Sequence, residues 1–399
     1  MHRIAVVTPI LPVPHDLTRG RYIHETARAL SALADVRVFF QQARYPRFPG
    51  LSPRSFLRGE VGADYRLDGV DVDAYTYPAL PGLSRASNGF MAARALLPRL
   101  RSFMPDIVLA YWVYPDGYAA RRAARRLGVP CVVGARGSDI HVRSGFNARM
   151  TRRTLHGVDA MLTVSRAMRD KAIADFGADP GQVHAIVNGI DTSVFHPRDR
   201  GDMRDKLGIP PDARLVTYVG RYVETKGMRE LLSAFRSLAR NDPALRLALV
   251  GDGVMRDELA ALVAAAGLDD RVTMTGGLDP VQVAEWMCAS DVVTLPSWSE
   301  GYPNVVVEGI ACGRPVVATA VGGTGEIIRD GNGIMVPPRD AEALERGLSE
   351  ALARDWDGDA MALAAKRGWC DVAAETLAVC ERVLARRNPL PARGMEVVT

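Results

Sequence analysis

Two runs of alternating strand and helix patterns, separated by a turn-rich break, constrain this 399-residue chain more than any other feature. The first run reads as strands at 4–8, 36–40, 70–75, 107–111, 131–134, 160–164 and 183–187. Helical patterns lie between them near 22–33, 89–103, 117–127, 147–155 and 166–176. After Val187, the sequence Asn188-Gly189-Ile190-Asp191 reads as a turn, and the polar stretch down to Pro210-Pro211 reads as a linker. The alternation then restarts, with strands at 215–219, 245–250, 272–275, 291–295, 315–318 and 334–336. Its helices fall near 228–239, 255–266, 280–289, after Pro303 and from about 340. Such alternation implies parallel sheets covered on both faces, since parallel neighbours are joined by crossovers. The expected fold is α/β, two doubly wound Rossmann-like domains facing across a cleft. The first spans 1–195 and the second 196–370, and the amphipathic tail in 371–399 is long enough to cross back to the first. Ligands of such sheets bind beyond the carboxyl ends of the strands.

Composition narrows the class. Met1-His2-Arg3 runs directly into the apolar segment 4–7, and no apolar run with a small-residue cleavage site follows, so no secretory signal is expected. No stretch reaches membrane-spanning length. The five cysteines are scattered without metal spacing, which suits reduced thiols and a cytoplasmic address. A formal charge of +4 hides an asymmetry, +11 over residues 1–200 against −7 over 201–399. A basic first half favours an anionic partner.

The densest chemistry lies in Ser297-Trp298-Ser299-Glu300-Gly301-Tyr302-Pro303-Asn304-Val305-Val306-Val307-Glu308. Pro303 suits a first helical turn, and a helix start with free N–H groups attracts phosphate. The three valines favour a strand by propensity, so the helix rests on burial and on Gly313-Arg314-Pro315 as its stop. Gly220-Arg221 and Lys226-Gly227 follow the strand at 215–219, where a guanidinium and an ammonium suit a diphosphate. Gly251-Asp252-Gly253 and Gly322-Gly323 are glycine loops that let a ligand approach the backbone.

As an ordered set these residues resemble the family 4 retaining glycosyltransferases. The set comprises Asn188-Gly189-Ile190-Asp191 with Phe195 and Pro197, Gly220-Arg221, Lys226-Gly227, Gly251-Asp252-Gly253, Glu300 and Glu308, and the run from Cys312 to Thr319 with Gly322-Gly323. Arg19-Gly20-Arg21-Tyr22, Tyr114-Pro115-Asp116-Gly117 and Arg136-Gly137-Ser138-Asp139 resemble its bacterial polysaccharide members. The resemblance implies the two-domain GT-B architecture, no obligatory metal and no cofactor, and retention of anomeric configuration. It implies that Arg221 and Lys226 bind the donor diphosphate, that Glu300 holds the transferred sugar aided by backbone amides in the stretch Gly301-Tyr302-Pro303-Asn304, and that Glu308 holds the ribose. Gly20, Gly251 and Gly277 complete the donor side, with base contacts near Gly276-Gly277-Leu278. A UDP-sugar is expected ahead of a GDP-sugar. Many relatives place a His where this chain reads Arg136-Gly137-Ser138-Asp139. Asp139 is therefore the candidate base, with Arg136 and Tyr114 on the acceptor side; His24 and His141 read as structural. Same-face displacement is expected rather than a covalent adduct on Glu300.

Asp71-Val72-Asp73 copies the metal handle of another transferase fold, but period two in a strand places both carboxylates on one solvated face. Arg and aromatic residues interleave in 44–58 and again from Arg85 to Phe103, a pattern suited to an anionic bilayer interface. No nucleic-acid motif accompanies the charge. The expected partners are a nucleotide sugar, a glycan or polyprenyl-diphosphate-linked acceptor, and the inner face of a membrane. The rival readings are a GT-B epimerase or phosphorylase, a two-domain nicotinamide oxidoreductase and a non-catalytic membrane scaffold. The oxidoreductase lacks a G-x-G-x-x-G after either first strand.

Overall fold

The computed structural model describes residues 1–14, 16, 19–45, 61–62, 64–79, 87–137, 140 and 145–387. It divides into two compact units, Met1–Val187 with the segment from Trp369, and Asn188–Gly368.

The first unit is built on β1 (Arg3–Thr8), β2 (Asp35–Arg44), β3 (Asp71–Pro78), β4 (Ile107–Tyr111), β5 (Cys131–Gly134), β6 (Ala160–Thr163) and β7 (Val183–Ala185). They form one parallel sheet in the order β3-β2-β1-β4-β5-β6-β7. Central strands such as β4 are buried along their whole length, which is why they read as continuous apolar runs. Its helices are α1 (Arg21–Ser31), α2 (Asn88–Phe103), α3 (Tyr118–Leu127), α4 (Gly145–Leu155) and α5 (Arg166–Phe176).

The second unit carries β8 (Arg214–Val219), β9 (Leu245–Val250), β10 (Val272–Gly276), β11 (Val292–Leu295), β12 (Val316–Thr319) and β13 (Gly333–Val336), parallel in the order β10-β9-β8-β11-β12-β13. Around it lie α6 (Arg200–Leu207), α7 (Met228–Ala239), α8 (Arg256–Ala265), α9 (Pro280–Ala289), α10 (Asn304–Ala311), α11 (Thr324–Ile327), α12 (Ala341–Ala353) and α13 (Gly358–Ala364). The last helix, α14 (Trp369–Arg387), belongs to the first unit. Its Val372, Ala373, Val379, Cys380 and Val383 share a core with Ile23, Ala27 and Leu30 of α1.

Two expectations are corrected. Residues 188–211 are not a linker. Ile190 and Phe195 are buried in the second unit's core, and α6 is capped by the Asp199 carboxylate on the amide of Asp202. That helix has little apolar periodicity because hydrogen bonds anchor it. Buried Arg204 donates to the carbonyls of Ala289 and Pro211 and to Asp291 Oδ2 at 2.7 Å. Asp71 and Asp73 lie on a partly exposed face, as expected, and are paired there with arginines. Asp71 pairs with Arg37, its register partner on β2, at 2.6 Å, and Asp73 pairs with Arg99 at 3.3 Å. Second, Pro303 caps α10 from just outside rather than sitting in its first turn. The valine run is nevertheless helical, with Val306 and Val307 buried and Gly313 at φ 72° ending the helix.

Candidate functional site

In the second unit β8 lies between β9 and β11, so the strand order reverses there, and sheets of this kind bind ligands in a crevice at such a point. The β8 loop carries Arg221 and Lys226, and the β11 loop carries Glu300. Lys226 Nζ donates to Glu300 Oε1, with the two side chains only 20% and 13% exposed. Arg221 is exposed at the same strand end, and Tyr218 Oη donates to its carbonyl at 2.9 Å, which fixes the turn. Burial drives the Tyr218 phenol well above its ordinary range, and the Glu300 charge adds to that shift.

Glycines interlock these loops. A side chain on Gly251 would meet the Gly220 carbonyl at 1.9 Å, one on Gly227 the Pro296 carbonyl at 2.1 Å, and one on Gly322 the Glu300 carbonyl at 1.9 Å. Gly253 is similarly filled by the backbone of Tyr222. At these four positions the room left by the missing Cβ is taken by a neighbouring loop rather than kept open for a ligand. Gly277 differs, having open space where a Cβ would stand.

The β11 loop is braced from several sides. Trp298 N donates to the Thr225 carbonyl at 2.8 Å and its indole Nε1 to Glu230 Oε1 at 3.0 Å, while the Arg339 guanidinium lies 4.3 Å over its ring. Gly323 N donates to the Gly301 carbonyl at 3.0 Å. Asn188 Nδ2 donates to Asn304 Oδ1 at 2.8 Å, steadying the first residue of α10. Glu308, half-buried, follows one turn later on the same helix. Burial pushes the Tyr302 phenol up to about 12. The bracing roles of Trp298, Asn188 and Tyr218 were not read from sequence, although Trp298 and Asn188 both sat inside motifs already noted. Among the described residues no three His, Cys, Asp or Glu side chains converge as a metal site requires.

In the first unit the order reverses at β1 and β4. Gly20 sits at φ 64° at the head of α1, where a Cβ would lie 2.7 Å from the Ile10 carbonyl, so the β1–α1 turn needs a glycine. Beyond β4 and β5 the Arg136 guanidinium stacks 4.4 Å over the Tyr111 ring and 5.1 Å over Tyr22. Tyr114 meets Tyr118 and Phe146 edge to face at 6.1 Å each, and burial raises its phenol to about 12. Arg136 and Tyr114 thus stand at adjacent strand ends. His24 Nε2 lies 2.8 Å from the Asp68 carbonyl. Asp139, Ser138, His141, Arg85 and the stretch 46–58 lie outside the described residues.

The helices α2, α3 and α4 hold ten arginines and no Asp or Glu, and α3 packs against both its neighbours. Arg94, Arg101, Arg125, Arg126, Arg149, Arg152 and Arg153 are exposed there, with Phe90, Met104 and Phe146.

Residues 20–194 match the family described as Glycosyltransferase Family 4, and residues 199–367 match Glycosyl transferases group 1. TuaC of Bacillus subtilis, named as a glycosyltransferase of teichuronic acid biosynthesis, is 30% identical over 87% of this chain and 88% of its own. A D-inositol 3-phosphate glycosyltransferase of Streptosporangium roseum is 28% identical over 93% of this chain and 89% of its own. Among solved structures, sucrose-phosphate synthase of Thermosynechococcus elongatus superposes with a TM-score of 0.78 at 20% identity, over 97% of this chain and all of that one. HepE of Anabaena, solved with UDP and glucose, gives 0.69 at 20% identity, over 98% of this chain and all of that one.

Proposed function

The chain belongs to the family 4 glycosyltransferases, with the GT-B fold, and from that premise we propose that it transfers a hexose, with retention, from a nucleotide-diphosphate sugar to a membrane-delivered glycan acceptor. The observation that carries the reading is the Lys226–Glu300 pair at the reversal point between β8 and β11, with Arg221 beside it. Arg221 and Lys226 hold the diphosphate, Glu300 accepts hydroxyls of the transferred sugar, and Glu308 the ribose. The amides at the start of α10 and the open side of Gly277 complete the donor side.

As the bond from the anomeric carbon to the phosphate oxygen breaks, negative charge grows on the diphosphate. Fixed cations count for more there than in the ground state, so no metal is required. The acceptor oxygen attacks from the face the diphosphate is leaving, and its proton passes to a phosphate oxygen. Configuration is thereby retained. Arg136 and Tyr114 receive the acceptor, and Asp139 is the candidate for any assisting base.

UDP is favoured over GDP as the carrier. HepE, of the same fold, has been solved with UDP and with UDP-glucose, which supports that preference. The acidless arginine face of α2, α3 and α4, with its exposed aromatic residues, supports attachment to the inner face of a membrane and a polyprenyl-diphosphate-linked acceptor.

A thermal-shift panel of UDP, GDP, ADP and their sugars tests the donor reading, since a ligand that binds only the folded state raises the midpoint. One nucleoside diphosphate and its sugar conjugate should stand out, and a flat panel overturns the assignment. Sedimentation with phosphatidylglycerol vesicles at low salt tests the membrane reading, which fails if the protein stays in the supernatant.

A further inference from the structure

We propose that Glu300 makes this site discriminate between the nucleotide-sugar donor and the bare nucleoside diphosphate left after transfer. The inference rests on the donor-site reading above and adds to it a cause for product release.

Of the two cations at the end of β8, Lys226 already has its counter-charge. Its ammonium is paired with Glu300, and both side chains are largely withdrawn from water. The two loops are also held together by their main chains. The Glu300 carbonyl occupies the room beside Gly322, the Pro296 carbonyl occupies the room beside Gly227, and Trp298 N is bonded to the Thr225 carbonyl between them. Arg221, by contrast, is exposed, and among the described residues no carboxylate lies within ion-pair distance of it.

A diphosphate entering this site therefore meets a fixed carboxylate together with the ammonium. For the donor, the hexose places hydroxyl donors against Glu300, so the carboxylate gains partners as Lys226 turns to the phosphate. For the bare diphosphate nothing replaces those hydroxyls. Glu300 then faces a terminal phosphate that carries an additional negative charge, and like charges at close range in a half-buried site repel. The same carboxylate that holds the sugar weakens the hold on the product.

The test is calorimetry on the full chain with UDP and UDP-glucose, or with the pair that the thermal panel selects. Glu300→Gln, close in shape but uncharged, should bind the bare diphosphate about tenfold more tightly and the nucleotide sugar more weakly. Product inhibition should strengthen in the same proportion. Glu300→Ala should also tighten the diphosphate while losing more of the sugar's contribution, and ligand-free melting midpoints confirm that both variants are folded. Unchanged or weakened diphosphate binding in both variants overturns the inference, because Glu300 would then serve only to order Lys226. Wild-type protein that binds no diphosphate overturns the donor-site reading itself, and the inference with it.

Discussion

Around the carboxyl end of β8 the loops meet through main-chain atoms, carbonyl against glycine, whereas beyond β4 and β5 the contacts run between aromatic rings and a guanidinium. Main-chain packing has little adjustability, because a carbonyl cannot change rotamer. The loops beside β8 are therefore closely fitted to one another, which suits the fixed cations of the proposed transfer. Ring and guanidinium stacking has more freedom to slide by fractions of an ångström than a carbonyl held against a glycine. The edge beyond β4 and β5 is accordingly the more adaptable one, in keeping with the acceptor role proposed for it.

The widest separation between the two edges is expected in kinetics. Lys226→Ala or Arg221→Ala should lower kcat/KM by about 10²–10³, the usual cost of one preorganised charge-stabilising group. Arg136→Ala should leave nucleoside diphosphate binding at its wild-type value, read by calorimetry. Turnover untouched by either charge-removing change would break the comparison at its base.

Stability separates them next. Gly322→Ala and Gly251→Ala force a Cβ against a carbonyl from positions at φ 53° and 140°, and should cost about 2–4 kcal/mol in urea denaturation. Gly277→Ala, with open space beside it, should fall within about 0.5 kcal/mol of wild type while weakening donor affinity. If all three behave alike, the interlocking is not what holds these loops.

Bracing side chains come third. Trp298→Phe keeps the ring under Arg339 but removes the indole bond to Glu230, and should cost about 1 kcal/mol with a modest rise in KM for the donor. Asn188→Ala frees Asn304 at the head of α10 and should act similarly. A loss of kcat with KM unchanged would mean that Trp298 acts on the transition state rather than on loop position.

These particulars also show how far the sequence could be read. The strands at 107–111 and 131–134 and the helix at 166–176 were bounded as observed, because buried parallel strands are continuous apolar runs and capped helices have clear stops. Arg221, Lys226 and Glu300 were legible as a group only through the ordered set of motifs around them, since a charged residue beside a glycine at a strand end is by itself as often a solvated loop residue, and the structure does bring Lys226 and Glu300 together. What could not be read was contact between loops distant in sequence. Nothing in Gly251 says that Gly220 will fill its missing side chain, and nothing in Lys226 says that its partner is Glu300. The helix α6 was hidden for a related reason, as Arg204 fixes it through carbonyls of Ala289 and Pro211, acceptors that every residue carries.

The smallest expected effect sharpens the comparison most, because it asks whether the edge beyond β4 and β5 is held by charge or by shape. Arg136→Lys keeps the positive charge but replaces a planar group, stacked over Tyr111 and Tyr22, with a compact ammonium. If stacking is the hold, the variant should lose about 0.5–1 kcal/mol of stability and its acceptor KM should rise, with diphosphate affinity unaltered. If charge alone matters, stability and KM should both match wild type. Tyr111 supplies an independent reading, because burial raises its phenol and the Arg136 charge partly opposes that rise. Arg136→Met should therefore push the Tyr111 titration still higher, whereas Arg136→Lys should move it less, and ultraviolet titration distinguishes the two.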